Sequence, residues 1–136
     1  MLRIKKRFVS EMIAHAAEES PNECCGILAG IDNSVTHLYR ITNAAGSPVR
    51  YLMDSKEQLE AILDSDQNGW DLVAFYHSHT HSPAYPSATD IRMALQSGWT
   101  DVSYVVISLE NSSRSDVRTF HIGEDGSVEE DELKVV

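Results

Sequence analysis

Two periodicities of apolar residues run along the chain, and together they predict both helices and strands. Spacings of three and four residues predict three helices that each bury one face. The first ends at Ser20-Pro21-Asn22, the second begins at Asp54 with Glu57 as its capping-box partner, and the third spans residues 87–96. The apolar positions expected to face inward are Val9, Met12, Ile13 and Ala16, then Leu59, Ile62 and Leu63, then Ile91, Ala94 and Leu95.

Short apolar runs between these helices predict strands. The runs cover Cys25–Ile31 and residues 35–41, 72–76, 102–109, 117–122 and 127–133, with a short extended piece at 51–53. The run at 72–76 is almost entirely apolar, which predicts a strand covered on both faces. Helices and strands therefore alternate around one sheet, and we expect an α/β or α+β fold made of a single domain, residues 1–136.

Composition narrows the class of protein. At 136 residues, 42% hydrophobic and 24% charged, the chain can bury a core without disulfides. A net charge of −10 argues against nucleic acid as a partner, and no apolar run is long enough to span a membrane. The basic N-terminus lacks the apolar region of a signal peptide. Cys24 and Cys25 are adjacent, a poor geometry for a disulfide, so we expect reduced thiols in the cytoplasm.

The segment after the strand at 72–76 carries candidate metal ligands. His77 and His79 are two residues apart at the strand end, so both imidazoles project to the same face. Asp90 falls in the first turn of the next helix. Two imidazoles and one carboxylate suit a catalytic zinc, with a fourth position left open. Catalysis would also need a proton shuttle, and Glu23, just before the strand Cys25–Ile31, is the best candidate if that strand lies beside residues 72–76.

Each of these residues also has an ordinary interpretation. A single His is more often a surface or core residue than a ligand, and Ser87 with Asp90 three residues later is a normal capping box. Glu23 alone would be a loop charge. The joint pattern His-x-His, seven residues, Ser, two residues, Asp is far rarer than any of its parts.

This pattern resembles the signature of the JAMM (MPN+) metallopeptidases. The upstream Glu23-Cys24-Cys25-Gly26 is similar to the Glu-x-Cys-Gly segment of their bacterial members. The resemblance implies a cytidine-deaminase-like fold, a curved mixed sheet flanked by helices. It also implies one Zn²⁺ held by His77, His79 and Asp90, Glu23 as general acid/base, and Ser87 as a hydrogen-bond donor to the oxyanion.

The same resemblance implies a substrate class. JAMM enzymes cut amide bonds after the C-terminal Gly-Gly of ubiquitin-like proteins. The Tyr-His-Ser-His-Thr and Tyr-Pro-Ser-x-Thr-Asp segments, which end at Thr80 and Asp90, resemble bacterial members that release cysteine from a ubiquitin-like sulfur carrier in cysteine biosynthesis. Two alternatives remain: an isopeptidase for another ubiquitin-like tag, and a catalytically silent MPN binding module.

Two rival families fit less well. A nucleotide deaminase would need a Pro-Cys-x-x-Cys motif, which the chain lacks. A DNA-repair relative would have Pro where Thr80 follows His79. Among the neighbouring residues, we expect His81 at the rim of the site, Cys25 packed, and Trp70 and Trp99 in the core. Tyr76 and Tyr85 would either line a cleft for a Gly-Gly tail or serve as plain core and loop residues.

Overall fold

The computed structural model describes residues 1–136, which form three helices and eight strands. In chain order the elements are β1 (Leu2–Ile4), α1 (Lys6–Glu19), β2 (Cys25–Ile31), β3 (Ser34–Ile41), α2 (Ser55–Gln67), β4 (Asp71–His79), α3 (Ala88–Ser97), β5 (Ser103–Ser108), β6 (Asp116–Ile122), β7 (Val128–Asp131) and β8 (Leu133–Val135). The strands form one mixed sheet in the order β7-β6-β5-β4-β2-β3-β1-β8.

The sheet is curved and nearly closed. Its two end strands, β7 and β8, are separated along the chain by a single residue, Glu132. β8 pairs in parallel with β1, and the hydrogen bond from the Leu2 N–H to the Glu132 carbonyl continues this pairing. The ends of the sheet are therefore joined through the chain itself.

Helices cover both faces of the sheet, as expected for this class. Met12 and Ala16 of α1 are fully buried in a cluster on one face. Ala61 of α2 and Ala94 of α3 are buried in a second cluster on the other face. The alternating side chains of β2 and β4 contribute to both clusters, which explains why the residue 72–76 segment reads as an unbroken apolar run.

The predicted inward faces of α2 and α3 are partly wrong. Leu59 and Leu63 are 56% and 59% exposed, and Leu95 is 38% exposed. α2 instead turns Ala61 and Ser65 toward the sheet, so small side chains allow close approach of helix and strands. The prediction of a capping box at the start of α2 is only partly confirmed. Asp54 accepts from the Glu57 N–H, but the Glu57 carboxylate accepts from Thr42 rather than from Asp54.

The structure also differs from the sequence predictions at the chain ends and at the two tryptophans. The strands β1 and β8 were not predicted, and the predicted 127–133 strand divides into β7 and the start of β8. Trp99 is half-buried against the second core cluster, whereas Trp70 is half-buried and stacks on the His37 ring outside it. None of the three helices has the length and apolarity needed to cross a membrane.

Candidate active site

The pairing of β2 with β4 brings the predicted residues together. Cys25 lies opposite His77 in the antiparallel register. Continuing this register by two residues places Glu23 opposite His79, on the same face of the sheet. The Cys24 carbonyl accepts from the Ser78 N–H, and the Cys24 N–H donates to Ser78 Oγ at 2.8 Å, which holds this end of the pair together. The strand adjacency on which the choice of Glu23 depended is thus present.

The first turn of α3 supplies the Asp90 carboxylate to the site. Ser87 is the N-cap, and its Oγ accepts from the Asp90 N–H at 3.0 Å. In return, Asp90 Oδ2 accepts from the Ser87 N–H at 2.9 Å, which completes a capping box. This reciprocal pair fixes the direction of the Asp90 side chain, and it leaves the Ser87 hydroxyl hydrogen free to donate elsewhere.

Three donor atoms from these elements converge on one point. His77 Nε2 and His79 Nε2 are 3.2 Å apart, and each lies 3.0 Å from Asp90 Oδ2. Glu23 completes a buried group in which one candidate ligand atom from each residue lies within 4.8 Å of all the others. The residues are between 1% and 7% exposed, so these polar groups are removed from bulk water.

The donor set fits a zinc ion. Donors bound to a tetrahedral zinc at about 2.0 Å lie about 3.3 Å from one another, close to the spacing of the three atoms here. Two imidazole nitrogens and one carboxylate oxygen are also the ligand types of catalytic zinc sites. Glu23 Oε1 is buried with no hydrogen-bond partner, a costly arrangement unless a ligand occupies the site. His77, His79 and Asp90 could therefore hold a metal, with Glu23 beside it.

Neighbouring groups orient both imidazoles. His79 Nδ1 lies 2.8 Å from the Pro83 carbonyl, so Nδ1 carries the hydrogen that it donates and Nε2 is left as a lone pair facing the cluster. The ring of Tyr51 stacks on the His77 ring with centroids 4.6 Å apart. His77 Nδ1 is buried and has no partner, so the ring is oriented by this stacking together with the contact of its Nε2 with Asp90.

Burial and charge separate the pKa values of the two carboxylates. Burial raises the pKa of Glu23 to about 8, the Asp90 carboxylate adds to that rise, and His79 opposes it. Burial also acts to raise the pKa of Asp90, but attraction to His77 and hydrogen bonds from His77, His79 and Ser87 outweigh it and hold that pKa well below its usual range. Asp90 is suited to be a permanent anion, and Glu23 to exchange a proton near neutral pH.

A loop that we call the Asn43 loop, residues 43–53, covers the His77 side of the buried cluster. Its base is closed by a β-bridge between Asn43 and Met53. Tyr51 belongs to this loop and also lines an apolar pocket of about 210 Å³ with Phe75, Trp99 and other residues. Phe75 and His77 share a face of β4, and Tyr51 stacks on His77, so the pocket lies beside the candidate metal ligands, although none of them lines it.

The other predicted residues have different positions. His81 is exposed, as expected for a rim residue, and Cys25 is fully buried in the core. Tyr76 is fully buried on the opposite face from His77, so it does not line a cleft at the site. Tyr85 is 53% exposed and packs on Phe120.

Three contributors were missed by the sequence analysis: Tyr51, Asn43 and the Pro83 carbonyl. Tyr51 and Asn43 lie in a segment read only as loop and a short extended piece. Nothing in its composition indicated that it would fold over His77. A backbone carbonyl such as that of Pro83 leaves no signature in side-chain patterns.

Comparison with known proteins agrees with this geometry. A family model described as prokaryotic homologs of the JAB domain matches residues 5–122. The CysO-cysteine peptidase of Mycobacterium tuberculosis is 40% identical over 141 aligned residues, which cover 100% of this chain and 92% of that protein. The desampylase of Haloferax volcanii is 38% identical over 96 residues, covering 68% of this chain and 67% of that protein.

Solved structures have the same fold. Protein DSY2949 from Desulfitobacterium hafniense matches with a TM-score of 0.86 and 37% identity, covering 100% of this chain and 93% of that one. AF2198, a JAB1/MPN domain protein from Archaeoglobus fulgidus, matches with a TM-score of 0.60 over 100% of this chain and 97% of that one. Its 19% identity makes it evidence for the fold alone. The chain therefore belongs to the prokaryotic branch of the JAB/MPN family, as the motif at His77–Asp90 predicted.

Proposed function

We propose that this protein is a zinc-dependent peptidase that cuts the amide bond after the C-terminal Gly-Gly of a ubiquitin-like sulfur carrier and so releases cysteine. Its full-length similarity to a CysO-cysteine peptidase, and its partial similarity to a desampylase, make it a hydrolase of peptide or isopeptide bonds. The observation that carries the proposal is the convergence of His77, His79 and Asp90 beside the buried Glu23 carboxylate.

The residues divide the chemistry among them. A zinc ion at His77, His79 and Asp90 would supply Lewis acidity, which acidifies water and polarises a carbonyl. Glu23 takes a proton from the attacking water and then delivers it to the leaving amine as the C–N bond breaks. Ser87 donates its free hydroxyl hydrogen to the oxygen that becomes negatively charged, while its Oγ still accepts from the Asp90 N–H.

The choice of a sulfur carrier as substrate is supported by the extent of similarity to the CysO-cysteine peptidase, which runs through the whole chain. The Gly-Gly tail of such a carrier is extended and narrow. The apolar pocket beside His77 offers space for the carrier residues that precede this tail. Reaction in the cytoplasm is supported by Cys24 and Cys25, which are both free thiols.

The test measures free cysteine released from a carrier protein ending Gly-Gly-Cys. Purified zinc-loaded enzyme should release it, and a chelator should stop the release. Glu23→Gln should bind zinc normally and lower kcat at least about 100-fold, because the proton shuttle is lost. Glu129→Gln is the matched control, since Glu129 is exposed on β7, and it should keep the wild-type rate. Release that persists after complete removal of the metal would refute the proposal.

A second candidate is an isopeptidase for another ubiquitin-like tag. It is favoured by the similarity to the Haloferax desampylase, which covers 68% of this chain. The same enzyme should be offered a carrier joined to a lysine ε-amine. A larger kcat/KM on this conjugate than on the cysteine adduct would select this candidate.

The third alternative, a catalytically silent binding module, makes a different prediction. It would bind the carrier without turning over either substrate, even when loaded with zinc. The complete set of donors in the cluster speaks against it, since a module that only binds has no use for a buried, partnerless Glu23 oxygen.

A further inference from the structure

The main chain of Glu23 is held by the Asn43 loop rather than by the sheet. Glu23 precedes β2, so neither of its backbone groups joins the ladder of that strand. Its N–H donates to the Ser47 carbonyl at 2.9 Å, and its carbonyl accepts from Asn43 Nδ2 at 3.0 Å. Both partners lie in the loop, so the position of the Glu23 backbone depends on that loop.

The Asn43 side chain uses its whole hydrogen-bonding capacity at this point. Nδ2 donates to the carbonyls of Glu23 and Arg50, the second at 3.1 Å. Oδ1 accepts from the N–H groups of Ala45 and Leu52 at 3.0 and 2.9 Å. An amide has two donor hydrogens and two acceptor lone pairs, and all four are used. No other side chain of similar size offers this set.

The same loop places an aromatic ring on a candidate metal ligand. Tyr51 lies between Arg50 and Leu52, the two loop residues whose backbones Asn43 binds. Its ring stacks on His77, whose Nδ1 has no partner. One amide therefore connects the Glu23 backbone with the loop segment that covers His77.

We propose that Asn43 is a positioning residue that fixes the Glu23 backbone and the Tyr51 ring relative to each other, and so aligns the proton shuttle with the metal ligands. This inference rests on the proposed role of Glu23 as general acid/base. Asn43 contacts neither the ligand atoms nor the reacting bond, so it acts on the chemical step and leaves metal binding largely intact. Groups that orient catalytic residues in this way typically contribute about 10- to 100-fold to activity.

The experiment compares Asn43→Asp with Asn111→Asp. The first change removes both donor bonds and places a carboxylate oxygen against the carbonyls of Glu23 and Arg50. The second is a matched control, because Asn111 is exposed and only its Oδ1 is used, as an acceptor from Ser113. Asn43→Ala is added as a neutral variant in case the buried charge prevents folding.

Two readouts are expected to change in the Asn43 variants and not in the control. Hydrogen exchange of the Glu23 amide, measured without metal, should speed up at least about tenfold, because its partner segment loses its tether. With zinc loaded, kcat per metal-bound folded molecule should fall about 10- to 100-fold, with KM and zinc affinity changing less than about threefold. Kcat unchanged per zinc-loaded molecule, or a Glu23 amide that stays protected, would overturn the inference.

A failure of the proposed function would look different. If the wild-type protein releases no amine from either substrate, the proposed function fails whatever the variants do. The exchange measurement then still decides whether Asn43 holds the Glu23 backbone. A purely structural role would lower thermal stability and zinc occupancy, and it would leave kcat of the surviving zinc-loaded fraction unchanged.

Discussion

Replacing Ser87 with alanine separates two roles that the structure gives to one hydroxyl group. As N-cap of α3, Ser87 Oγ accepts from the Asp90 N–H, and its loss leaves that donor without a partner. Loss of an N-cap of this kind costs about 1 kcal/mol. In a chain of this size that corresponds to a fall in Tm of about 3 °C. Asp90 keeps its hydrogen bond from the Ser87 backbone N–H, so zinc should still bind.

The second role is catalytic, and its expected magnitude is much larger. Removing one donor that stabilises an oxyanion lowers kcat by about 100- to 1,000-fold. The reaction is the carrier-tail hydrolysis described above, with KM changing little because the bond strengthens only as charge develops on the carbonyl oxygen. Urea unfolding and steady-state kinetics on the same zinc-loaded preparation give the two quantities separately.

The matched control is Asp54→Ala at the N-terminus of α2. Asp54 caps its helix in the same way, accepting from the Glu57 N–H at 3.0 Å, but it lies outside the buried cluster. We expect a similar loss of stability with a wild-type kcat. If Ser87→Ala keeps kcat within about threefold while losing stability like the control, the oxyanion role is wrong and Ser87 is only a helix cap.

Three further predictions concern the core and the sheet. Gly26→Ala should destabilise the fold by about 3 kcal/mol in urea unfolding, because the added Cβ would overlap the buried Tyr76 ring on the neighbouring strand. Cys24 and Cys25 should resist alkylation at pH 8 in the native protein and react at least about 100-fold faster once it is unfolded. The reason is that burial raises the pKa of the Cys24 thiol to about 11 and raises that of Cys25 further. Deleting residues 133–136 should lower the Tm and promote self-association in gel filtration, because β1 becomes an edge strand.

Each of these predictions has its own control. Gly123→Ala meets only the flexible side chains of Ser127 and Asp125 within 3 Å, so it should cost far less than Gly26→Ala. Equal losses would mean that glycine flexibility, and not the close approach, matters at Gly26. For the deletion, Lys134→Ala in the intact chain should elute like the wild-type protein, since the β1–β8 pairing is made by backbone groups. Rapid alkylation of both native thiols would show that β2 opens readily.

The sequence predicted the candidate site better than it predicted the packing. His77, His79 and Asp90 could be assigned because strand periodicity and a helix cap fix their directions locally. The direction of α2 could not be assigned in the same way. Its leucines suggested a buried stripe, but tertiary packing selected the narrow face with Ala61 and Ser65, which lets the helix lie close to the sheet.

The sequence also failed to predict elements that depend on partners distant in the chain. β1 and β8 have three residues each, too few for a periodic pattern, and they are strands because β1 pairs with both β3 and β8. The positions of Tyr51 and Asn43 are fixed by hydrogen bonds between the Asn43 side-chain amide and individual backbone groups of the loop. Neither composition nor periodicity reports on such contacts, so the sequence predicted the candidate ligands but not the segment that covers them.

The junction of β7 and β8 through Glu132 has a consequence for biosynthesis. β1 is synthesised before the other seven strands and β8 after them, yet the two are neighbours in the finished sheet. While the chain is being made, β1 can pair only with β3, and its other edge has to wait for residues 133–135. Bringing together segments about 130 residues apart is a slow, entropically costly step. Closure of the sheet should therefore wait until β8 is available, and nascent chains should be most vulnerable to strand exchange with one another before that point.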